Sequence, residues 1–526
     1  MDAERLTVAL LLHRHASTTP DLQFVVTEDD ALTYAEAERA SARLAARLVR
    51  AGVGKGTRVG LLRPNGCEWA LTAIAVMRIG AVLVPLSTLL RPPELAAQLR
   101  AAGVEHLICV TRTRSHEHLE DLATISPSLQ PDGGPSHVAE VPRLRSILVW
   151  DDTSLDRELG PDPGPEPEAA LVASYEALVH PADDMVVIFS SGSRGAPKAV
   201  VHTHGGALGA TQSGLAARCI HAGERLYIPM PFFWMGGFGG GLITVFVAGA
   251  TLITEAEPAP ERTLRLLERE RVTLFRGWPD QATALASHPE FANADLSTLK
   301  AGSLDGVLPV EMRGRPGIRP ILFGMTETFG PYCADPLDRD LPPEKYGSLG
   351  RPFTGVEVAI VDQDTRAPVP RGEVGEIYLR GPNLMRGICG RTRAETFTPD
   401  GFYPTGDSGR LDADGYLYFT GRLDDMFKVH GANVYPSEVE TALEEIAYVR
   451  RAFVVDIGSA DTRRVGAAVV LDNDAHAPAD LDADARRTLS SFKVPALWAI
   501  IGADDVPRAA TGKVDKDGLR RLIESA

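Results

Sequence analysis

Paired cysteines, basic runs and the common lysine–serine nucleotide loop are all missing from this chain. Five cysteines, Cys67, Cys109, Cys219, Cys333 and Cys389, are scattered over 526 residues, none at CxxC spacing. An odd, dispersed set excludes a disulfide framework and a zinc site, and suits reduced thiols in the cytoplasm. Cationic stretches are missing too: 54 Lys+Arg against 70 Asp+Glu leave a net charge of -16. That excludes nucleic acid as a main partner, whereas a bound ATP needs only a local positive site. The start, Met1-Asp-Ala-Glu-Arg5, has no basic segment, so no signal peptide is expected. No internal repeat is found. Charge vanishes altogether from Leu226 to Thr254. That stretch is long enough to cross a bilayer, but Pro229, Pro231 and six glycines interrupt it. A buried strand–loop–strand lining an apolar pocket is expected there, and no membrane span.

What is present fits a soluble globular protein of at least two domains: 526 residues, 44% apolar and 24% charged. Ala35–Leu48 carries apolar residues at helical spacing, Arg58–Leu62 reads as a strand, Trp69–Ile79 as a helix and Ala81–Pro85 as a strand. This alternation implies α/β layering. Residues 126–168 are rich in proline, glycine and acids and read as surface loop.

The chemistry concentrates at Asp184–His204. Met185–Phe189 is a short β-branched run expected to form a buried strand. It breaks into Ser190-Ser-Gly-Ser-Arg-Gly-Ala-Pro197, followed by Lys198. Glycines let backbone N–H groups converge on an anion, the hydroxyls add donors and the lysine adds charge, so the loop suits a phosphate. It is not a Walker loop, for Gly-Lys-Ser/Thr is absent. Read alone, it also fits an ordinary surface turn. Tyr227–Phe238 (YIPMPFFWMGGF) suits either the wall of an apolar cavity or aromatic core packing. Ile318–Phe323 reads as a strand leading into Gly324-Met-Thr-Glu-Thr328, which sets an aromatic ring, a hydroxyl and a carboxylate together. That group could stack a base, hold a phosphate oxygen and ligate Mg²⁺. Asp407 and Arg422, in FYPTGD (402–407) and GRLDD (421–425), could grip ribose hydroxyls, or be surface charges. Lys513 closes the turn Pro507-Arg-Ala-Ala-Thr-Gly-Lys513.

With those stretches in order, together with Leu32-Thr-Tyr34 and GEVGEIYLRG (372–381), the sequence resembles the adenylate-forming superfamily over almost its whole length, most closely the acyl-CoA synthetases. The resemblance implies an α/β fold. A large N-terminal domain, 1–421, would hold layered sheets and helices plus a β-barrel-like part. A hinge at 422–425 would join it to a small mobile C-terminal α+β domain, 426–526. The resemblance implies ATP, Mg²⁺ and CoA. It places Ser191, Gly192, Ser193, Gly195 and Lys198 in the phosphate loop and Phe323 near adenine, with Gly302-Ser303 beside it. Thr326 would contact phosphate, Glu327 would hold Mg²⁺, and Asp407 with Arg422 would bind ribose. Lys513 would be the lysine of adenylation and Asp424 the pivot. Gly431 and Lys428 would line the path of the thiol. Phe233, Trp234, Met235, Gly236 and Phe238 would line the acid pocket.

Departures from the family pattern carry information. Met235 stands where amino-acid-activating relatives place an aspartate for the substrate amine, which argues against α-amino acids. The surrounding aromatics favour a hydrophobic fatty, alicyclic or aryl acid. Ala199 stands where glycine is usual, and Arg194 where threonine is common; a stiffer loop with one extra charge is expected. The leading expectation is an acid–CoA ligase working through acyl-AMP. No attached carrier domain is expected after the Lys513 turn, but loading of a separate carrier protein stays open. So do a non-catalytic nucleotide-binding regulator, a luciferase-like oxygenation and a homodimer.

Overall fold

The computed structural model describes residues 6–113, 116–129, 138–150, 165–190, 197–315, 317–423, 425–429, 432–458, 463–472, 476–508 and 514–526. The chain divides into two compact units, one up to Glu357 with Arg380–Phe402, the other Val358–Leu379 with Tyr403–Ala526.

The first unit is built on two sheets. The larger has seven strands, in the order Gly387–Ile388, Lys198–Thr203, Asp184–Ser190, Val82–Pro85, Arg58–Leu62, His106–Cys109, Ser146–Val149. The last five are mutually parallel, and the first two are joined antiparallel. The second sheet runs Leu274–Phe275, Arg225–Tyr227, Thr251–Ile253, Gln23–Val26, Ala31–Thr33. Parallel strands need crossovers that cover their faces, and helices supply them. The helix Cys67–Arg78 is buried at every position except Glu68. It shares one core with Val59, Leu83 and Val186 of the first sheet and Phe24, Leu226 and Leu252 of the second. A helix apolar on all sides belongs inside, between layers. Its one buried charge, Arg78, is answered by Glu176 at 2.6 Å and by Ser41 at 2.7 Å. The helix Tyr34–Arg50 begins in a Thr33–Glu36 capping box, a local start signal.

Leu226–Thr254 forms two strands of the second sheet with helical turns between them, including the π-helix Phe238–Ile243. Among the described residues no helix is long and apolar enough to cross a membrane. Ile318–Leu322 is not a strand; the extended run starts at Phe323. Pro320 cannot donate to a ladder, and Ile321 is exposed.

The second unit contains a four-stranded sheet, Glu357–Val361, Gly375–Arg380, Tyr403–Leu411 and Leu417–Arg422. The expected barrel-like part takes this open form. Beyond it lie the sheet Val449–Ile457, Arg464–Leu471, Leu497–Ile500 and the helices Pro436–Glu444, Pro478–Thr488 and Lys516–Ser525, an α+β arrangement. By packing, the four-stranded sheet goes with the C-terminal residues.

Candidate active site

Lys198 stands at the base of a hairpin. It pairs with Ser190 across antiparallel strands. Ser191, Gly192, Ser193, Arg194 and Gly195 lie outside the described residues. No strand was expected after Lys198, although AVVHT is β-branched. Ala199 belongs to that strand and its methyl is buried in the core. It therefore acts as a strand residue and not as a stiffener of the loop.

The Lys198 ammonium lies 3.5 Å from Glu327 Oε1. Glu327 is 6% exposed and sits in a single 3₁₀ turn, Thr326–Thr328, which ends at Phe329 with a left-handed φ of 54°. The turn caps the tight hairpin of Phe323–Met325 against Gly330–Cys333. At Gly324 a Cβ would collide with the Gly330 carbonyl, so only glycine permits the strands to approach this closely. Phe323 packs edge-on to Tyr332 at 5.5 Å.

His202 holds the turn from behind and was not singled out from the sequence. Its Nε2 is 2.8 Å from the Thr326 carbonyl. A carbonyl only accepts, so Nε2 carries the proton and donates. Burial lowers His202 to about 4, and likewise its neighbour in sequence His204. His204 Nδ1 accepts from the Val8 N–H at 3.4 Å. A pH dependence follows. Histidine in the unfolded chain titrates near about 6.5, so on acidification the unfolded state takes up protons first. Stability from each buried neutral ring is complete above about pH 6.5 and is lost as pH falls toward about 4, by up to roughly 1.4 kcal/mol per unit. The melting temperature should therefore fall from about pH 7 to 5, and His204→Gln, which keeps an acceptor for Val8, should flatten that fall. An identical profile in the variant would contradict the assignment.

The acid-pocket candidates separate into two groups. Phe238 is wholly buried, packed on Trp69 at 5.8 Å and on Phe329 at 6.0 Å. Phe233 is also buried. Trp234, Met235 and Gly236 are half-exposed, with Trp234 edge-on to the exposed Trp278 at 5.9 Å. The π-helix starts at Phe238, and such bulges recur at functional sites. Gly302 has a positive φ of 91°, and its carbonyl accepts from Arg276. The adjacent Ser303 is buried and its Oγ accepts from the Phe275 N–H at 3.1 Å.

In the second unit, Asp407 and Arg422 are direct cross-strand partners. Arg422 Nη1 donates to Asp407 Oδ1 at 2.8 Å and to the Thr405 carbonyl at 3.2 Å. Beside them the Glu376 carboxylate accepts from the Gly406 N–H at 3.1 Å, and burial pushes Glu376 up from its ordinary value. Lys428 lies on the hairpin strand Phe427–Val429, opposite Asn433. Asp424, Gly431 and Lys513 lie outside the described residues. The bridge between Arg508 and Val514 brackets the Lys513 turn. Among the described residues no cluster of three or more His, Cys, Asp or Glu could form a metal cage.

The first unit thus holds a buried carboxylate facing a lysine beside a glycine-dependent turn, and the second unit holds a cross-strand Asp–Arg pair. The AMP-binding enzyme family matches residues 12–389. The chain is 33% identical to a feruloyl-CoA synthase of an Amycolatopsis species, covering 97% of both chains. It is 32% identical to the 3-[(3aS,4S,7aS)-7a-methyl-1,5-dioxo-octahydro-1H-inden-4-yl]propanoyl:CoA ligase of Mycobacterium tuberculosis, covering 98% of this chain and 99% of the relative. Its fold superposes on the crystal structure of an anthranilate CoA ligase in complex with anthranoyl-AMP, with a TM-score of 0.80, 25% identity and 99% coverage of both. The chain belongs to the AMP-binding enzymes and is, within them, an acid–CoA ligase that works through an acyl-AMP and releases AMP.

Proposed function

We propose that the ligase takes a carboxylic acid with an apolar body, and that the residues named above divide the work as follows. A carboxylate cannot be attacked directly by a thiol, because its leaving group would be oxide. Attack by the carboxylate on the α-phosphate of ATP forms the acyl–O–P bond, breaks the bond to pyrophosphate and turns that oxygen into part of AMP. The obstacle is anion meeting anion, at roughly 4 kcal/mol per unit-charge pair about 4 Å apart in an effective dielectric near 20. Lys198 at the loop base and Lys513 supply positive charge to the phosphates, and Thr326 donates its hydroxyl to them. Phe323 stacks on adenine beside Gly302, and Asp407 accepts from the ribose hydroxyls while Arg422 fixes its carboxylate.

Mg²⁺ fits this donor set. It is ordinarily held by one or two carboxylates plus substrate phosphates and waters, without an all-protein cage, and Glu327 is a lone buried carboxylate at the phosphate end. Bound there, the ion would neutralise charge building on the departing pyrophosphate. In the second step the thiol of CoA attacks the acyl carbon, the acyl–O bond breaks and AMP leaves. Lys428 and Gly431 line the thiol's path. Rotation about Asp424 exchanges Lys513 for that path. The five cysteines are free thiols, which supports a reducing compartment, the cytoplasm.

The observation that carries the reading is the Lys198–Glu327 pair at the mouth of the hairpin loop. The acid's class is tested by mass spectrometry of products from fatty, alicyclic, aryl and steroid acids with ATP and Mg²⁺, with and without CoA. Acyl-CoA from acids with apolar bodies is expected, with acyl-AMP alone when CoA is withheld. Turnover confined to small hydrophilic acids would overturn the apolar pocket. Acyl-AMP accumulating in the presence of CoA would transfer the acceptor role to a carrier protein.

A further inference from the structure

The aromatic segment is held at both ends, and the polar half of the clamp is Asn65. This residue lies in the connection between the strand Arg58–Leu62 and the buried helix Cys67–Arg78. Its Oδ1 accepts from the Phe232 N–H at 2.8 Å. Its Nδ2 donates to the Met230 carbonyl at 3.0 Å and to Thr254 Oγ1 at 3.1 Å. Thr254 in turn donates its hydroxyl proton to the Ile228 carbonyl at 2.9 Å. The orientation of the amide is forced. A backbone N–H only donates and a carbonyl only accepts, so the oxygen must face Phe232 and the nitrogen Met230. The oxygen and both amide hydrogens are all engaged.

These bonds straddle Pro231, which has no N–H to offer a neighbouring strand. The side-chain amide takes the place of that strand, with one acceptor and one donor on either side of the proline. Beyond it the chain turns back on itself. The Pro231 carbonyl accepts from the Trp234 N–H at 3.1 Å, and the Trp234 carbonyl from the Phe238 N–H at 2.9 Å. A Cβ on Gly237 would strike the Met230 and Pro231 carbonyls, so the segment folds onto the same peptide that Asn65 holds. The apolar half of the clamp is Trp69, on the helix that follows Asn65. It packs edge-on to Phe232 at 5.2 Å and to Phe238 at 5.8 Å, and all three rings are wholly buried. Between these anchors Trp234, Met235 and Gly236 stay half-exposed.

The place in the topology also points to a ligand. Asn65, Met230 and Thr254 each follow the carboxyl end of a parallel strand: Arg58–Leu62, Arg225–Tyr227 and Thr251–Ile253. Open α/β sheets bind their ligands at that end.

We propose that Asn65 is a positioning residue for acid selection: its amide sets the backbone of Met230–Phe232, and through it the wall that Trp234, Met235 and Gly236 present to the apolar body of the acid. This rests on the acid-pocket reading above. The three bonds of Asn65 go to 230, 232 and 254, and none goes to Lys198 or to the Thr326–Thr328 turn. Handling of ATP is therefore separate from it.

The test takes the acid turned over best among fatty, alicyclic, aryl and steroid acids, and an analogue lacking part of its apolar body. The ratio of their kcat/KM values, the KM for ATP and the melting temperature are measured for the wild type, Asn65→Ala, Asn65→Asp, Trp234→Ala and Asn65→Ala/Trp234→Ala. Asn65→Ala should lower the ratio at least about tenfold, because small misplacements of a positioning wall are costly. The KM for ATP should stay within about twofold of wild type, since no nucleotide contact is touched. Asn65→Asp keeps the acceptor for Phe232 but sets a carboxylate against the Met230 carbonyl, so the same fall is expected; it decides the matter if Asn65→Ala does not fold. In the Trp234→Ala background Asn65→Ala should change the ratio no further, because the residue acts through that wall. A ratio moved by Trp234→Ala but by neither Asn65 variant would overturn the positioning role and leave the pocket reading standing. A ratio moved by neither Trp234→Ala nor the Asn65 variants would overturn the pocket reading and this role with it. A lower melting temperature with a constant ratio, or an equal loss for both acids together with a raised KM for ATP, would make Asn65 a structural strut, again overturning the role. So would effects of Asn65→Ala and Trp234→Ala that simply add. No turnover of any acid by the wild type would sink the ligase reading and the proposal together.

Discussion

Lys513→Ala is expected to slow acyl-AMP formation by about 10²–10³, the loss typical of one charge-stabilising donor aimed at a transition state. In the adenylation step a carboxylate approaches a polyanion, and negative charge moves onto pyrophosphate as it leaves. A lysine that meets this charge helps only while it develops. The thioester step has a different charge balance, because AMP leaves a neutral acyl carbon and pyrophosphate is already gone. Lys513→Ala should therefore convert supplied acyl-AMP and CoA to acyl-CoA at a rate within about tenfold of wild type, by the same accounting of donors. The two half-reactions are measured separately, pyrophosphate release for the first and thioester from synthetic acyl-AMP for the second. Retention of the second step also shows that the variant is folded. Equal losses in both steps would mean that the lysine supports the fold of the C-terminal residues. Wild-type pyrophosphate release would remove it from the mechanism.

The legible parts of this protein were those whose physics is local. The strand Asp184–Ser190, the helix Tyr34–Arg50 with its Thr33–Glu36 box and the buried helix Cys67–Arg78 announce themselves by periodicity and capping. The order of the motifs, from the serine-rich loop to the Lys513 turn, pointed to the AMP-binding enzymes that the comparisons show. What the sequence hid was tertiary. Nothing local distinguishes Phe238, sealed against Trp69, from Trp234, which is half-exposed. Nothing in the sequence marks His202, and its bond to Thr326 spans 124 positions. Nothing local marks Arg218; only the folded chain shows that it is buried, with Nη1 on Thr244. A run of Ile318–Phe323 looks like one strand until Pro320 is weighed, and the ladder then begins at its last residue.

Glu327→Gln tests the other half of the charge argument. The substitution is nearly isosteric, so the 3₁₀ turn, the bond from Met385 N to the Glu327 carbonyl at 2.8 Å and the packing of this 6% exposed side chain are all preserved. What is lost is one negative charge 3.5 Å from the Lys198 ammonium. If that carboxylate holds Mg²⁺, pyrophosphate release should fall about 10²-fold, close to 2.7 kcal/mol in the barrier. The Mg²⁺ concentration giving half-maximal rate should also rise about tenfold or more, as metal affinity does when a supporting group is removed, and excess Mg²⁺ should recover part of the rate. A different role would leave a different trace. If Glu327 served only to hold Lys198 at the loop base, neutralising it would free the lysine, alter the KM for ATP and leave the Mg²⁺ titration where it was. Lys198→Met would then reproduce the effect, and the double variant would be no worse than either single one. A shifted Mg²⁺ titration in Glu327→Gln with none in Lys198→Met assigns the ion to the carboxylate.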